Sequence, residues 1–227
     1  APKEIPSSNE VLSGKGSGCI QEPSRYAGLE GRGVVGSEDC LYLDIYQPEK
    51  NSNDKLPVMF WIHGGGNTTG TKDYYNFSKL SASKGIVVVV INYRLGPLGW
   101  FRHPSIQSLQ AGIDKSSNFG TLDIIMALKW VQKNIHNFGG DKNNVTIFGE
   151  SAGGHNVMTM LATPLSNGLF HKAISQSGYT TSYTAEQSLG VSSNDSVIND
   201  FGSLNVFSNA SVSKTTDNVI KNFNELD

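Results

Sequence analysis

The chain has 227 residues, with 20 acidic and 18 basic side chains, and its formal net charge at pH 7 is −2. That balance excludes electrostatic capture of nucleic acid or of an anionic membrane as the main activity. The length suits one globular domain with a real core, and no apolar run approaches the roughly 18 residues of a membrane span. A soluble globular protein is therefore expected, without a transmembrane segment.

The first 38 residues are predicted to be a loop-rich lead-in, because Gly, Ser and Pro occur there without periodicity. The two cysteines of the chain, Cys19 and Cys40, are 21 positions apart. Spacing alone leaves two alternatives open: a disulfide, which would indicate an oxidising compartment, or two free thiols. The chain begins with Ala1 rather than Met, which indicates either a removed leader or a piece of a longer protein.

Five apolar segments are predicted to form the strands of one sheet. The first, LYLDIY, begins at Leu41, alternates in polarity and stops before Pro48. The others are LPVMFWIHG, GIVVVVINYR, VTIFG and the weaker HKAISQSG. Near-continuous runs of Val and Ile are typical of strands buried on both faces, hence of a mainly parallel sheet covered by helices.

Two segments between these strands have helical periodicity. Apolar residues recur at helical spacing from Thr121 to Ile135, with a glycine stop signal at Gly139, and a second helix is predicted from Ser151 to Ala162. Strands that alternate with helices predict an α/β protein with a doubly wound sheet. Residues 180–227 are rich in Ser, Asn and Asp and form a weakly patterned tail.

The segment Gly149-Glu150-Ser151-Ala152-Gly153 matches the pattern Gly-x-Ser-x-Gly between a predicted strand and a predicted helix. In that context the serine occupies a sharp turn, the small residues beside it let the helix pack closely, and its hydroxyl is exposed above the sheet. The N-terminus of the helix would also favour developing negative charge. The pattern alone leaves two interpretations open: a nucleophilic serine, or a serine that caps an ordinary helix.

A second motif, His63-Gly64-Gly65-Gly66, follows the predicted strand LPVMFWI. Consecutive glycines allow backbone N–H groups to point into a pocket, where they would stabilise the oxyanion formed when a serine attacks a carbonyl group. The N–H of the residue after the serine would complete this oxyanion hole. The alternatives are a flexible glycine loop or a phosphate-binding loop, but no lysine follows as a P-loop requires. The two motifs together favour a serine hydrolase.

Beyond the two motifs, a stretch of about residues 37–178 resembles the type-B carboxylesterases and lipases, which include the cholinesterases. The matching segments are SEDCLYLDIYQP, LPVMFWIHGGG, VVVVINYRLGPLGWF, ALKWVQKNIHNFGGDKNNVTIFGESAGG and GLFHKAISQSG. The resemblance implies that residues 1–227 are one partial domain of the α/β-hydrolase fold, truncated at both ends. It also implies hydrolysis of small carboxylic esters through an acyl-enzyme, with no metal and no cofactor.

The resemblance assigns catalytic roles to four residues of the two motifs: the nucleophile Ser151 and the oxyanion-binding N–H groups of Gly65, Gly66 and Ala152. For Glu150, which precedes the serine as a Glu tends to do in the family, it implies a charge or hydrogen bond that orients the site; the alternative is a carboxylate that caps the start of the helix. It also implies that Asp123, in the helix before the nucleophile strand, is structural. It further implies a disulfide between Cys19 and Cys40, and hence a secreted or periplasmic protein.

The catalytic triad is incomplete in this sequence, because the family carries its acid and its histidine far downstream of the serine, beyond Asp227. Of the five histidines, His155 is the only candidate for a local base, since it follows Ser151 by one helical turn; a base, however, needs the open side of the hydroxyl and a carboxylate behind it. Of the other four, His63 begins the glycine-rich segment and His171 is expected to have a structural role. His103 and His136 are expected to lie in loops or on the surface. Asn67 also departs from the family pattern, in which many members carry an apolar residue. A non-catalytic cholinesterase-like binding domain and an inactive fragment stay open as alternatives.

Overall fold

A computed structural model describes residues 16–180, with the exception of residue 27 and residues 50–54. The described residues form five strands: β1 (Leu43–Tyr46), β2 (Leu56–Ile62), β3 (Val87–Ile91), β4 (Gly140–Glu150) and β5 (Lys172–Gln176). All five lie in one sheet, in the order β1-β3-β2-β4-β5. Residues 1–15 of the predicted lead-in lie outside the described residues, and so does the predicted tail from residue 181 onward.

The sheet is mainly parallel, which confirms the prediction. β2 runs parallel to β3 and to β4, β5 runs parallel to β4, and β1 is antiparallel to β3. All five residues of β3 are buried, because apolar layers cover both faces of that strand, and this explains its unbroken run of Val and Ile. Ile62 pairs with Gly149, so the segments that follow β2 and β4 begin at the same level of the sheet.

The described residues include five α-helices: α1 (Ser78–Lys84), α2 (Gly96–Trp100), α3 (Pro104–Ser108), α4 (Phe119–Asn134) and α5 (Ala152–Ala162). Side chains of α4 and α5 share one apolar cluster with Phe60 of β2. On the opposite face, Leu80 of α1 packs against Trp61 and Val90. Helices therefore cover both faces, and the predicted doubly wound arrangement is confirmed.

The two long helices begin at slightly different residues from those predicted. α4 begins at Phe119 instead of Thr121, and α5 begins at Ala152 instead of Ser151. The three short helices α1, α2 and α3, of five to seven residues each, were not predicted, because such short segments carry too little periodicity to detect. Within residues 16–180 as described, no helix has the length and apolar character needed to cross a membrane.

Cys19 and Cys40 form a disulfide with their Cα atoms 4.8 Å apart. In its described residues, the loop that the disulfide closes contains isolated bridges but no helix or strand. Gln21 is 4% exposed and pairs with the peptide group of Gly70: its Nε2 donates to Gly70 O at 2.8 Å, and its Oε1 accepts from Gly70 N at 2.9 Å. The disulfide loop is therefore tied to the segment that follows β2.

Candidate active site

Ser151 lies in the turn between β4 and α5. Its backbone has φ 56° and ψ −122°, a conformation that residues with a Cβ rarely adopt. The turn is held by backbone hydrogen bonds, since Ser151 N–H donates to Gln176 O at 2.9 Å and Ser151 O accepts from His155 N–H at 2.9 Å. This strained conformation keeps the serine out of the helix, which is why α5 begins one residue later than predicted. This is the sharp strand-to-helix turn, or elbow, predicted from the Gly-x-Ser-x-Gly motif, and the role of Ser151 as a nucleophile stays a prediction.

Two glycines allow the serine turn and α5 to pack tightly against the sheet. A Cβ at Gly153 would lie 2.1 Å from Ile62 O, and a Cβ at Gly149 would lie 2.5 Å from the carbonyl group of Gly153. Both distances are far shorter than any real carbon contact, so a larger residue at either position would push α5 away from β2. The Gly-x-Ser-x-Gly spacing is thus explained by backbone contacts.

Residues 63–70, which follow β2 and are called here the glycine loop, lie against the serine turn. A Cβ at Gly64 would be 2.7 Å from Glu150 O, 3.2 Å from Glu150 Oε2 and 3.3 Å from Ser151 Cβ. The two motifs singled out in the sequence are therefore adjacent in space. Glu150 has its carboxylate beside this contact, and its predicted role in orienting the site stays a prediction.

The three N–H groups predicted to bind an oxyanion belong to Gly65, Gly66 and Ala152. Gly65 and Gly66 have φ angles of 104° and 63°, in the region that favours glycine. Thr68 and Thr69 donate their N–H groups to Gly65 O at 3.1 and 2.9 Å, which closes the loop into a tight turn. Within the described part of the chain, no group accepts a hydrogen bond from the three N–H groups. Their role as an oxyanion hole stays a prediction.

His63 is buried at the start of the glycine loop, and its contacts stabilise this end of the loop. Its Nδ1 lies 2.8 Å from Gly64 O, and because a carbonyl oxygen only accepts, Nδ1 carries the proton. The ring stacks on Tyr93 with 4.3 Å between the ring centroids, and Tyr93 OH donates to His63 O at 2.6 Å. Burial lowers the pKa of His63 to about 4, so the ring is neutral at pH 7.

Acidification is expected to destabilise the protein through His63. Its pKa is about 4 in the folded chain against 6.5 for an unperturbed histidine, so the unfolded chain binds an extra proton between these two pH values. Above pH 6.5, protonation of His63 does not reduce the free energy of unfolding. As the pH drops to the folded-state pKa, the free energy of unfolding falls by about 3 kcal/mol. We expect urea unfolding at several pH values to show this loss in the wild type and not in His63→Asn, whose amide keeps the donor to Gly64 O without titrating. The prediction would be contradicted if the free energy of unfolding fell equally with decreasing pH in the wild type and in His63→Asn.

All five histidines of the chain lie among the described residues, and none donates to or accepts from the Ser151 side chain. His155 Nδ1 lies 2.7 Å from Tyr179 O, and its ring stacks on Tyr179 at 4.3 Å between centroids. His63 is buried, as described above. His171 accepts a hydrogen bond from Val145 N, and His103 caps α3. His136 is exposed on the surface.

Asp123 is buried in α4 and pairs with Arg94, in the loop after β3. Its carboxylate accepts from Arg94 Nε at 2.8 Å, from Nη2 at 2.6 Å and from the backbone N–H at 3.0 Å. These bonds fit the structural role expected for Asp123 and hold the loop after β3 against α4. Among the described residues, no cluster of three or more His, Cys, Asp or Glu side chains could hold a metal ion.

Sequence reasoning missed a contact between Asn67 and Asn156. Asn156 Nδ2 donates to Asn67 Oδ1 at 2.9 Å and so joins the glycine loop to α5. A signal was present in the sequence: Asn156 occupies a position of the buried face of α5, where Ala152, Val157 and Met160 also point inward. A polar residue among buried apolar ones needs a hydrogen-bond partner.

Comparison with known proteins identifies the family of this chain. The model of the carboxylesterase family matches residues 7–221. The chain belongs to the carboxylesterase family. It is 53% identical over 144 residues to carboxylesterase 1E of Rattus norvegicus (63% of this chain, 24% of the relative) and 47% identical over 158 residues to para-nitrobenzyl esterase of Bacillus subtilis strain 168 (69% of this chain, 31% of the relative). A solved PNB esterase structure superposes with a TM-score of 0.68 at 42% identity, over 78% of this chain and 36% of that one.

The carboxylesterase match confirms the family suggested by the sequence, and the PNB esterase match confirms the α/β-hydrolase fold. The matched part of the chain spans about a quarter to a third of the length of these relatives. Names of relatives therefore describe proteins much longer than this chain.

Proposed function

We propose that this chain carries the nucleophile and the oxyanion hole of a serine carboxylesterase that acts on small carboxylic esters. The observation that carries the proposal is the strained turn at Ser151, φ 56° and ψ −122°, packed against a loop of three glycines. A strained residue beside backbone donors is typical of a catalytic centre. The same observation weighs against the alternative of a non-catalytic binding domain, whereas the isolated chain itself is expected to be poorly active.

In the proposed reaction, Ser151 Oγ attacks the carbonyl carbon of the ester and loses its proton to a histidine base. The carbonyl oxygen becomes an oxyanion, which accepts hydrogen bonds from the N–H groups of Gly65, Gly66 and Ala152. The alcohol leaves with the proton from the histidine, and water then releases the acid from the acyl-enzyme by the same steps. Glu150 is proposed to orient the site through its carboxylate, which lies beside the contact between Gly64 and the serine turn.

The histidine base and its acidic partner are proposed to come from outside residues 1–227. All five histidines of the chain contact other groups or lie on the surface, as described above. The relatives are more than twice as long as this chain, since aligned segments of 144 and 158 residues cover only 24% and 31% of them. The edge strand β5 is also largely exposed, with Ile174 46% exposed, which is consistent with further strands beside it in a longer protein.

A secreted or periplasmic location is proposed because Cys19 and Cys40 form a disulfide. Disulfides persist in oxidising compartments and are rare in the reducing cytosol. The proposal concerns the compartment alone and not the route of export.

A fluorophosphonate probe tests the proposed nucleophile. The protein for the test is a chimera in which the matched segment of this chain replaces the corresponding 158 residues of the B. subtilis para-nitrobenzyl esterase, here called the esterase chimera. We expect mass spectrometry to find the probe on Ser151, because a serine activated by a triad attacks phosphorus as it attacks a carbonyl carbon.

The matched controls are Ser151→Ala, which should stay unlabelled, and Ser177→Ala, which removes another serine at positive φ and should label normally. An esterase chimera that melts in one cooperative transition but leaves Ser151 unlabelled would overturn the proposal in favour of a binding domain.

A further inference from the structure

Two asparagine side chains join the glycine loop to the helix that follows the nucleophile. Asn156 is in α5, five positions after Ser151, and is 2% exposed. Its Nδ2 donates to Asn67 Oδ1 at 2.9 Å, and Asn67 directly follows the three glycines. The hydroxyl of Tyr93, which donates to His63 O at 2.6 Å, lies 3.4 Å from the same Asn67 oxygen.

The backbone of Asn67 is constrained as well as its side chain. Its φ is 59°, in the left-handed region that asparagine tolerates better than most residues. Its carbonyl oxygen accepts from Gly96 N at 2.7 Å, where α2 begins. Asn67 thus contacts α5 through its side chain and the loop after β3 through its backbone.

We propose that Asn67 and Asn156 form an amide clamp that positions the oxyanion-binding N–H groups relative to Ser151. Gly65 and Gly66 immediately precede Asn67. Ser151, which lies just before α5, and Ala152, its first residue, precede Asn156 by five and four positions. A hydrogen bond between the two asparagines makes the donors on the loop and the nucleophile on the elbow move as one unit. The inference rests on the proposed function, because it assigns positioning residues to that reaction.

The clamp matters for catalysis because an oxyanion hole acts only at a defined distance from the developing charge. Displacement of a catalytic group by about 1 Å costs on the order of 100-fold in rate. The contact between Gly64 and the serine turn restricts the loop at its first glycine, and the clamp restricts it at its far side. Without the clamp, the far side of the loop would still be tied to the loop after β3 and to the disulfide loop, through Asn67 O and Gly70, but not to α5.

Hydrogen exchange in the 227-residue chain tests the clamp without any catalysis. The reporters are the N–H groups of Thr68 and Thr69, which both bond to Gly65 O and exchange when the loop opens. We expect Asn156→Leu, which removes the donor at similar volume, and Asn67→Gly, which removes the acceptor while still accommodating the positive φ, to raise their exchange about tenfold. Asn67→Asp keeps an acceptor oxygen facing Asn156 and should exchange within about twofold of the wild type.

The control for the Asn156→Leu change is Asn143→Leu, on an exposed position of β4, which should leave both reporters unchanged. The clamp is overturned if Thr68 and Thr69 exchange at the wild-type rate in Asn156→Leu, or if Asn67→Asp exchanges as fast as Asn67→Gly.

Kinetics of the esterase chimera then distinguish positioning from a merely structural role. With the concentration of sites set by phosphonate titration, Asn67→Gly and Asn156→Leu should lower kcat about 10- to 100-fold and leave KM nearly unchanged. A purely structural role would lower the number of titratable sites and leave kcat per site unchanged, which would reject positioning. Failure of the proposed function would instead appear as no labelling of Ser151, with the exchange results unaffected.

Discussion

The 227-residue chain on its own is expected to hydrolyse p-nitrophenyl acetate no more than about 10⁴-fold faster than water. Without a histidine at its hydroxyl, Ser151 keeps its proton at neutral pH, and binding and oxyanion stabilisation alone would remain. The esterase chimera should turn over the same substrate, and Ser151→Ala should lower its kcat by about 10⁶-fold. Release of p-nitrophenolate measures both proteins.

The blank for the isolated chain is its own Ser151→Ala variant. Turnover of the wild-type chain within about tenfold of the B. subtilis esterase, abolished in that blank, would contradict the prediction, since a missing triad residue costs far more than that. It would mean that one of the five histidines serves as the base. His155→Ala would then be the decisive variant, because His155 follows the serine turn by one helical turn.

Gly153→Ala is expected to be among the most destabilising single substitutions in the described chain. The new Cβ would lie 2.1 Å from Ile62 O and 2.8 Å from His63 O, so α5 must move away from β2. We expect the free energy of unfolding to fall by about 3 kcal/mol, measured by urea denaturation of the isolated chain. In the esterase chimera, labelling of Ser151 should fall as well, because the same displacement distorts the elbow.

The matched control is Gly85→Ala. Gly85 has φ 61° and nothing within 4 Å of a Cβ, so this variant reports the backbone cost alone, about 1 kcal/mol. Equal losses in the two variants would show that the contact between α5 and the end of β2 is not tight.

Most of the framework could be predicted from the sequence, because buried strands and amphipathic helices leave a periodic signal. β3 is an unbroken run of buried Val and Ile, and α4 places Leu128 and Val131 on its buried face. The two motifs of the candidate site were also predictable, since they contain glycines that the backbone contacts require. The exclusion of Ser151 from α5 was not, because a strained φ has no signature in composition.

Contacts between polar residues far apart in the sequence could not be predicted. Gln21 and Gly70 are 49 positions apart, and Asn67 and Asn156 are 89 positions apart. Lys72 is another case: its side chain is fully buried, yet its Nζ bonds to Asp44 at 2.6 Å and to Asp73 at 2.8 Å. Burial alone would lower the pKa of Lys72, but the two carboxylates outweigh it and the pKa is raised. Such pairs have no periodicity, and only the fold brings their members together.

The strand order bears on how the chain folds while it is being synthesised. β2 and β3 are neighbours in the sheet and consecutive in the chain; β4 then pairs with the free side of β2, and β5 pairs with β4. After β3, each new strand joins the same growing edge in the order in which the ribosome delivers it. The nascent chain can therefore pair each of the five described strands soon after it emerges, and none of these five has to insert between two that have already paired.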